Sequence, residues 1–166
     1  NKMNANIKLI NKKKYKGQSV ADILVKSKKN LKGINCSSKL NSSAIDEFLI
    51  IFLVASKAKG ISSFYNLSEL NKKESPRLDI AVKILKKIGV KIIRKKDNLK
   101  IFGDPELKLK GKYIIKNFRK DHRVVMMSCI AALTLGGKWK ISDKNSVNTS
   151  FPNFFKIIKS VGARIH

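Results

Sequence analysis

Two cations, a carboxylate and a hydroxyl are gathered in Lys73-Glu74-Ser75-Pro76-Arg77, directly before an apolar-periodic stretch. Ser75 reads as a helix N-cap and Pro76 as the first helical residue. Arg77 then falls in the first turn, where the macrodipole already carries positive potential and a cation is mildly destabilising. That placement suits a site expecting an anion. Lys73, Arg77 and the free amides can together hold a phosphate or carboxylate, with Glu74 beside them to move a proton. Without a ligand, the same residues are a solvated charged turn.

A second constellation stands at the starts of two long apolar stretches. Asp46 opens one, and Asp121-His122-Arg123 opens the other. Aligning Gly60 with Gly137 puts Asp46 and Arg123 at equivalent positions, 77 residues apart. An aspartate suits a helix start, whether as ligand group or plain cap; an arginine does not. Arg77 and Arg123 are therefore two arginines at helix starts, and a dianionic or carboxylated ligand between them would resolve the conflict. His122 reads as either a hydrogen-bonded structural histidine or a neighbour of that ligand.

The elements that must position these residues repeat along the chain. Met3-Asn4-Ala5-Asn6-Ile7, Ile88-Gly89-Val90-Lys91-Ile92 and Val161-Gly162-Ala163-Arg164-Ile165 share an apolar residue, a Gly or Asn suited to a left-handed helix C-cap, and a strand start. Between them lie matching blocks: a long apolar helix ending near Gly60 or Gly137, a short strand (Ile61 to Tyr65; Lys138 to Ile141), a polar loop and an amphipathic helix. The helices Ser43 to Ala58 and His122 to Leu135 are apolar all round and should be buried. Arg77 to Ile88 and Phe151 to Val161 are apolar on one face and should cover a sheet, with Lys83, Lys86 and Lys87 turned outward. Strands are expected at Ala21 to Val25, Leu31 to Cys36, Val90 to Arg94, Leu99 to Phe102 and Lys112 to Ile115. The fold class is therefore α/β, built of repeated βαβαββ-like units with parallel buried helices. Residues 1–166 read as two repeats plus the tail of an earlier one, part of one domain, so a piece of a longer protein is expected.

Composition narrows the function classes. With 166 residues and 43% apolar content the chain can bury one sizeable core. The longest apolar run, Phe48 to Ser56, is far short of a membrane span. Cys36 and Cys129 stand in no metal-ligand spacing and read as reduced core thiols; no metal site is expected. The net charge of +26 would suit a nucleic-acid binder, but only five of the 37 basic residues are arginine and the lysines form no long block. Nucleic acid is the minority reading.

Five segments, in order, resemble the 5-enolpyruvylshikimate-3-phosphate synthase family (3-phosphoshikimate 1-carboxyvinyltransferases). Val20-Ala21-Asp22-Ile23 with Leu31-Lys32-Gly33-Ile34 is similar to its VADI…LKGI strands, and Ile45-Asp46-Glu47-Phe48 to its IDEFP helix start. Lys73-Glu74-Ser75-Pro76-Arg77-Leu78 resembles KESDRL, and Asp121-His122-Arg123-Val124-Val125-Met126 resembles DHRxAM. Asp143 to Phe154 resembles D..CV..SFP.F. Pro76 replaces the family's usual acidic residue, Leu49 its usual proline, and Thr149 a lysine found in some members.

The resemblance implies an inside-out α/β barrel of the enolpyruvyl transferase type, present here as an incomplete copy. It implies transfer of the enolpyruvyl group of phosphoenolpyruvate to the 5-hydroxyl of shikimate 3-phosphate, in the cytoplasm, with no metal or organic cofactor. Carried over by residue, Asp46 and Lys73 contact shikimate 3-phosphate, while Arg77 and Arg123, with His122 alongside, hold phosphoenolpyruvate. Thr149 stands where a further phosphoenolpyruvate contact is made in some members. Asp46 and Glu74 are the proton-transfer carboxylates. Glyphosate is the implied inhibitor, and the family's N-terminal domain, absent from this sequence, the implied partner. Two alternatives stay open: the sister transferase acting on UDP-N-acetylglucosamine, and a non-enzymatic basic module.

Overall fold

A computed structural model of the chain describes residues 2–116 and 118–165; Asn1, Asn117 and His166 lie outside it. It begins with an antiparallel ribbon, β1 (Asn6–Tyr15) and β2 (Gln18–Lys26), closed by a two-residue turn in which Lys16 and Gly17 both take positive φ, +47° and +79°. Only the start of β1 was expected, because its lysines and asparagines mask the alternation. Ile7 and Leu9 face Val25 and Ile23 across the ribbon, and this apolar face is open to solvent.

The central unit is the most complete. Residues Leu31 to Cys36 run alongside the following strand, but regular pairing is confined to β3 (Asn35–Cys36) and a lone bridge from Lys32 to Lys59. At Gly33 the two backbones come so close that a Cβ there would collide with the Ile61 carbonyl. After β3 the chain forms α1 (Asn41–Ala44), α2 (Phe48–Ser56), β4 (Gly60–Phe64), α3 (Arg77–Lys87), β5 (Lys91–Lys95) and β6 (Asn98–Gly103). The sheet order is β3-β4-β6-β5, with β3 parallel to β4 and β6 antiparallel to both β4 and β5.

The last unit repeats that plan with fewer strands. β7 (Leu109–Ile115) pairs in parallel with β8 (Gly136–Ile141), and α4 (His122–Leu135) connects them, followed by α5 (Phe154–Ser160). The left-handed corners expected at the repeat joints are present: φ is +62° at Asn4, +84° at Gly89 and +102° at Gly162.

Two expected helices differ from the sequence reading. Ser43 to Ala58 is not continuous: the helix breaks at Ile45-Asp46-Glu47, where the Asp46 carbonyl accepts a hydrogen bond from Arg123 Nη1 at 2.7 Å. Phe151 to Val161 shortens to α5: Phe151, ahead of Pro152, resists helical ψ, and the helix begins at Phe154 after an Asn153 cap position.

The core is built on α2. Phe48 and Phe52 meet Phe64 of β4 with ring centroids 6.1 and 5.0 Å away, and Leu78, Ala81 and Leu85 of α3 close over them. α2 also packs on α4, so the starts of α2, α3 and α4 converge at one end of the molecule. α4 is buried on one side only, contrary to the expectation of a helix buried all round. Its Cys129, Ala132 and Leu133 face a cavity of ≈ 700 Å³ beside β8 and α5, where two strands cover this unit among the described residues.

Candidate active site

α3 starts at Arg77: Pro76 is not the first helical residue, as its type suggests, but stands at the N-cap position with non-helical ψ and no side-chain bond. Ser75 is not the cap. Its hydroxyl donates instead to Asp121 Oδ2 at 2.7 Å, and Ser75 is buried. Helix α4 is capped by Asp121, whose Oδ1 accepts from the Arg123 amide at 3.0 Å.

Asp121 therefore joins the two helix starts, and Arg77 locks the junction. The Arg77 side chain is 1% exposed. Its Nε donates to Asp121 Oδ2 at 2.9 Å, its Nη1 to Asp46 Oδ1 at 2.8 Å, and its Nη2 to Glu74. The conflict between a cation and a helix N-terminus is thus settled by three carboxylates of the chain itself rather than by a ligand.

Asp46 is the common neighbour of all the cations. Besides Arg77, Lys73 Nζ and Arg123 Nη2 each lie 3.7 Å from its carboxylate. Arg123 reaches the place by spanning from α4 to the break between α1 and α2, where it also pairs with Glu47 at 3.3 Å. Burial alone would raise the Asp46 carboxyl, but the hydrogen bond from Arg77 and the charges of Arg123, Lys73 and Arg77 hold it below the ordinary carboxylate range. Asp121 is held below that range likewise, its burial outweighed by bonds from Arg77 and Ser75. Arg77 is pushed further up: burial opposes its charge, and Asp121, Glu74 and Asp46 more than offset it.

The fold brings Asp46, Lys73, Glu74, Arg77 and Arg123 together. His122, half-buried in the first turn of α4, makes no side-chain hydrogen bond among the described residues. Thr149 is not in the cluster. It is exposed, bonds to the Ser146 carbonyl at 2.8 Å, and lines a separate hollow with Lys120, Asp143 and Lys144. Sequence reasoning noticed Asp121 as a helix opener but gave it no role, and it mistook Ser75 for a cap. The available signal was an Asp placed before Val124-Val125 in a chain with two arginines needing partners.

Chemically the cluster offers a carboxylate kept ionised (Asp46), a second carboxylate 57% exposed (Glu74), and two cations with open faces, Lys73 at 32% and Arg123 at 27% exposure. That is a set for moving protons beside an anion.

Relatives carry the same frame. A family model for EPSP synthase (3-phosphoshikimate 1-carboxyvinyltransferase) matches residues 1–158. The 3-phosphoshikimate 1-carboxyvinyltransferases of Geobacter metallireducens and Zymomonas mobilis are 34% and 37% identical to it, and cover 98% and 97% of this chain. The chain in turn spans only 37% and 36% of those relatives' length. Among solved structures, an EPSP synthase from Acinetobacter baumannii superposes with a TM-score of 0.86 at 30% identity, over 96% of this chain and 37% of that one. The enolpyruvyl transferase NikO from Streptomyces tendae shares the fold alone, with a TM-score of 0.63 at 12% identity over 98% of this chain and 34% of its own. With the converging helix starts, the matching motifs and these likenesses in agreement, the chain belongs to the EPSP synthase family.

Proposed function

We propose that this chain supplies one face of an active site that transfers the enolpyruvyl group of phosphoenolpyruvate to the 5-hydroxyl of shikimate 3-phosphate, releasing phosphate. The observation that carries the reading is Asp46 held ionised among Lys73, Arg77 and Arg123, with Glu74 on the same arginine. The reaction needs such a set. As the 5-hydroxyl oxygen bonds to the phosphate-bearing carbon of phosphoenolpyruvate, its proton passes to one carboxylate, and a proton is delivered to the methylene carbon. In the second half the resulting methyl group returns a proton, the carbon–oxygen bond to phosphate breaks, and phosphate leaves with the electron pair. Asp46 and Glu74 move these protons; Lys73 and Asp46 hold shikimate 3-phosphate; Arg123 and Arg77, with His122 alongside, hold the enol phosphate as it becomes a leaving group. Arg77 reaches a ligand when Glu74, its most exposed partner, moves off. No metal or organic cofactor enters this chemistry.

Three cations face four carboxylates here: Lys73, Arg77 and Arg123 against Asp46, Glu47, Glu74 and Asp121. A face without excess positive charge needs further cations to hold two phosphorylated substrates. We assign those to the rest of a two-domain enzyme, of which residues 1–166 are part of one domain. Glyphosate, an anion, competes for the phosphoenolpyruvate place, and the enzyme works in the cytoplasm. The test is phosphate release from phosphoenolpyruvate by the complete polypeptide. It should require shikimate 3-phosphate and be absent from the 166-residue chain alone. Release that ignores shikimate 3-phosphate, or turnover by this chain alone, overturns the reading.

A further inference from the structure

The segment that carries Lys73, Glu74, Ser75 and Arg77 is closed at its neck by residues outside the cluster. Asn71 Nδ2 donates to Asp79 Oδ1 at 2.9 Å, and the Asp79 amide donates back to Asn71 Oδ1 at 3.2 Å. This reciprocal pair works as a capping box supplied from eight residues upstream, and it serves the first turn of α3 in place of the missing cap at Pro76. Asp79 is itself tied to the sheet, since Arg94 Nη1 of β5 donates to the same Oδ1 at 2.5 Å while Arg94 Nε holds the Lys96 carbonyl at 2.8 Å. The neighbours Leu70 and Leu78 are 0% exposed, so both strands of the neck sit on the core. Burial pushes the Asp79 carboxyl up, but the bonds from Arg94 and Asn71 and the charges of Arg94 and Lys83 hold it below the usual range, so it is ionised at neutral pH.

From this geometry we infer that Asn71, Asp79 and Arg94 are positioning residues: they fix the neck of the Lys73–Arg77 loop to the sheet and so set where Glu74 and Lys73 stand relative to Asp46. None of the three makes a side-chain hydrogen bond or ion pair to Asp46, Lys73 or Glu74 among the described residues. Their effect runs through the backbone of the loop, as supporting residues act on a catalytic group. The inference rests on the proposed function for its kinetic consequence but not for its geometric one.

A reciprocal exchange tests it. Asn71→Asp alone sets two carboxylates against each other and removes the donor to Asp79. Asp79→Asn alone leaves Arg94 without its ion pair. Together the two changes restore the reciprocal pair with its direction reversed: the carboxylate now at position 71 accepts from the backbone amide of position 79 and from the side-chain amide now at that position, and Arg94, whose Nη1 met the same Asp79 oxygen as Asn71 did, pairs with the carboxylate now at position 71. In the complete enzyme, Asn71→Asp should lower kcat at least about tenfold, assayed well below its unfolding midpoint, and the exchanged pair should recover to within about twofold. A purely structural cap predicts a lower midpoint with kcat unchanged. Asn98→Ala, which removes the side chain receiving the Asn66 amide at 3.0 Å outside this network, is the control for that outcome. Amide hydrogen exchange across Lys73–Leu78 in the complete polypeptide gives the geometric arm: faster in Asn71→Asp, restored in the exchanged pair. If the parent enzyme fails to turn over the two substrates, the functional reading falls while this arm still decides the brace. Unchanged kcat and exchange in Asn71→Asp, or an exchanged pair that folds but stays impaired, overturns the inference.

Discussion

Arg77 and Arg123 both stand in the first turn of a helix, where a cation is unwelcome, and the molecule treats them differently. Arg77 is 1% exposed, with all three nitrogens on carboxylates, one of them the fully buried Asp121. Arg123 is 27% exposed; it bonds the Asp46 carbonyl and pairs with Glu47, which is 60% exposed. The helix field is the same, so the partners decide the role. Arg77, buried among three carboxylates, ties the helix starts together and is uncovered only if the exposed Glu74 moves, whereas Arg123, bonded to a carbonyl and an exposed glutamate, already leaves part of its guanidinium open. The two starts are coupled, because Asp121 caps the second helix while holding the arginine of the first.

The comparison is tested hardest at Arg77. Arg77→Ala strands Asp121 uncompensated in the core, and breaking a buried pair in this way costs about 3–5 kcal/mol. Denaturant unfolding of the chain should show that loss, against under about 1 kcal/mol for Arg123→Ala, whose partners water can reach. Equal losses would mean that the two arginines are not different in kind. Kinetics of the complete enzyme should invert the order of interest: Arg123→Ala chiefly weakens phosphoenolpyruvate, and Lys73→Ala also weakens shikimate 3-phosphate, each by about 2–4 kcal/mol in transition-state terms. Wild-type kinetics in either variant would remove that residue from the site. Glu74→Gln should keep the fold and bind shikimate 3-phosphate nearly as well, yet lose at least about a hundredfold in kcat, the lower end for general acid–base catalysis. A kcat within a few-fold of the parent would leave Asp46 as the only proton-transfer carboxylate.

The smallest expected effect is a pH dependence. Asp46, Asp79 and Asp121 all have folded-state values below their ordinary ones. Their contribution is therefore fully present above the unfolded value of about 3.9 and is lost as pH falls through the folded values. The unfolding midpoint should be insensitive to these groups above about pH 5 and fall below about pH 4. A midpoint that rises on acidification would contradict the ion-pair geometry.

How much of this was legible depended on how local its cause was. α4 could be bounded as His122 to Leu135 because polar opener, apolar run and the glycine near its end are adjacent in sequence. β6 showed through its alternation, β5 through the Gly89 corner ahead of it, and the three repeat joints through Asn4, Gly89 and Gly162. The break at Asp46 did not show, since its cause is an arginine 77 residues away. Ser75 looked like a cap for the same reason: its competing partner, Asp121, is 46 residues distant. At the site, the motif residues were found, but the charge balance was not. Sequence placed cations where an anion seemed due, and the fold supplies carboxylates from three different helix starts. Thr149, inside the Asp143 to Phe154 motif, lies apart because the turns of residues 144–149 direct it to another hollow.

The β1–β2 ribbon has a further consequence, for how molecules of this chain behave towards one another. Among the described residues it pairs with no third strand, and Ile7, Leu9, Ile23 and Val25 are each 41–66% exposed, so it offers both a free edge and a greasy face. Such edges template intermolecular pairing unless charge intervenes. Here Lys12, Lys13 and Lys14 lie on the ribbon itself, within a chain of net charge +26. Mutual repulsion of that kind reaches only about 8 Å at physiological ionic strength and about 3 Å at 1 M salt. Ionic strength is therefore the expected dial on the colloidal state of the 166-residue chain by itself: light scattering should show dispersed molecules in dilute buffer and association in concentrated salt.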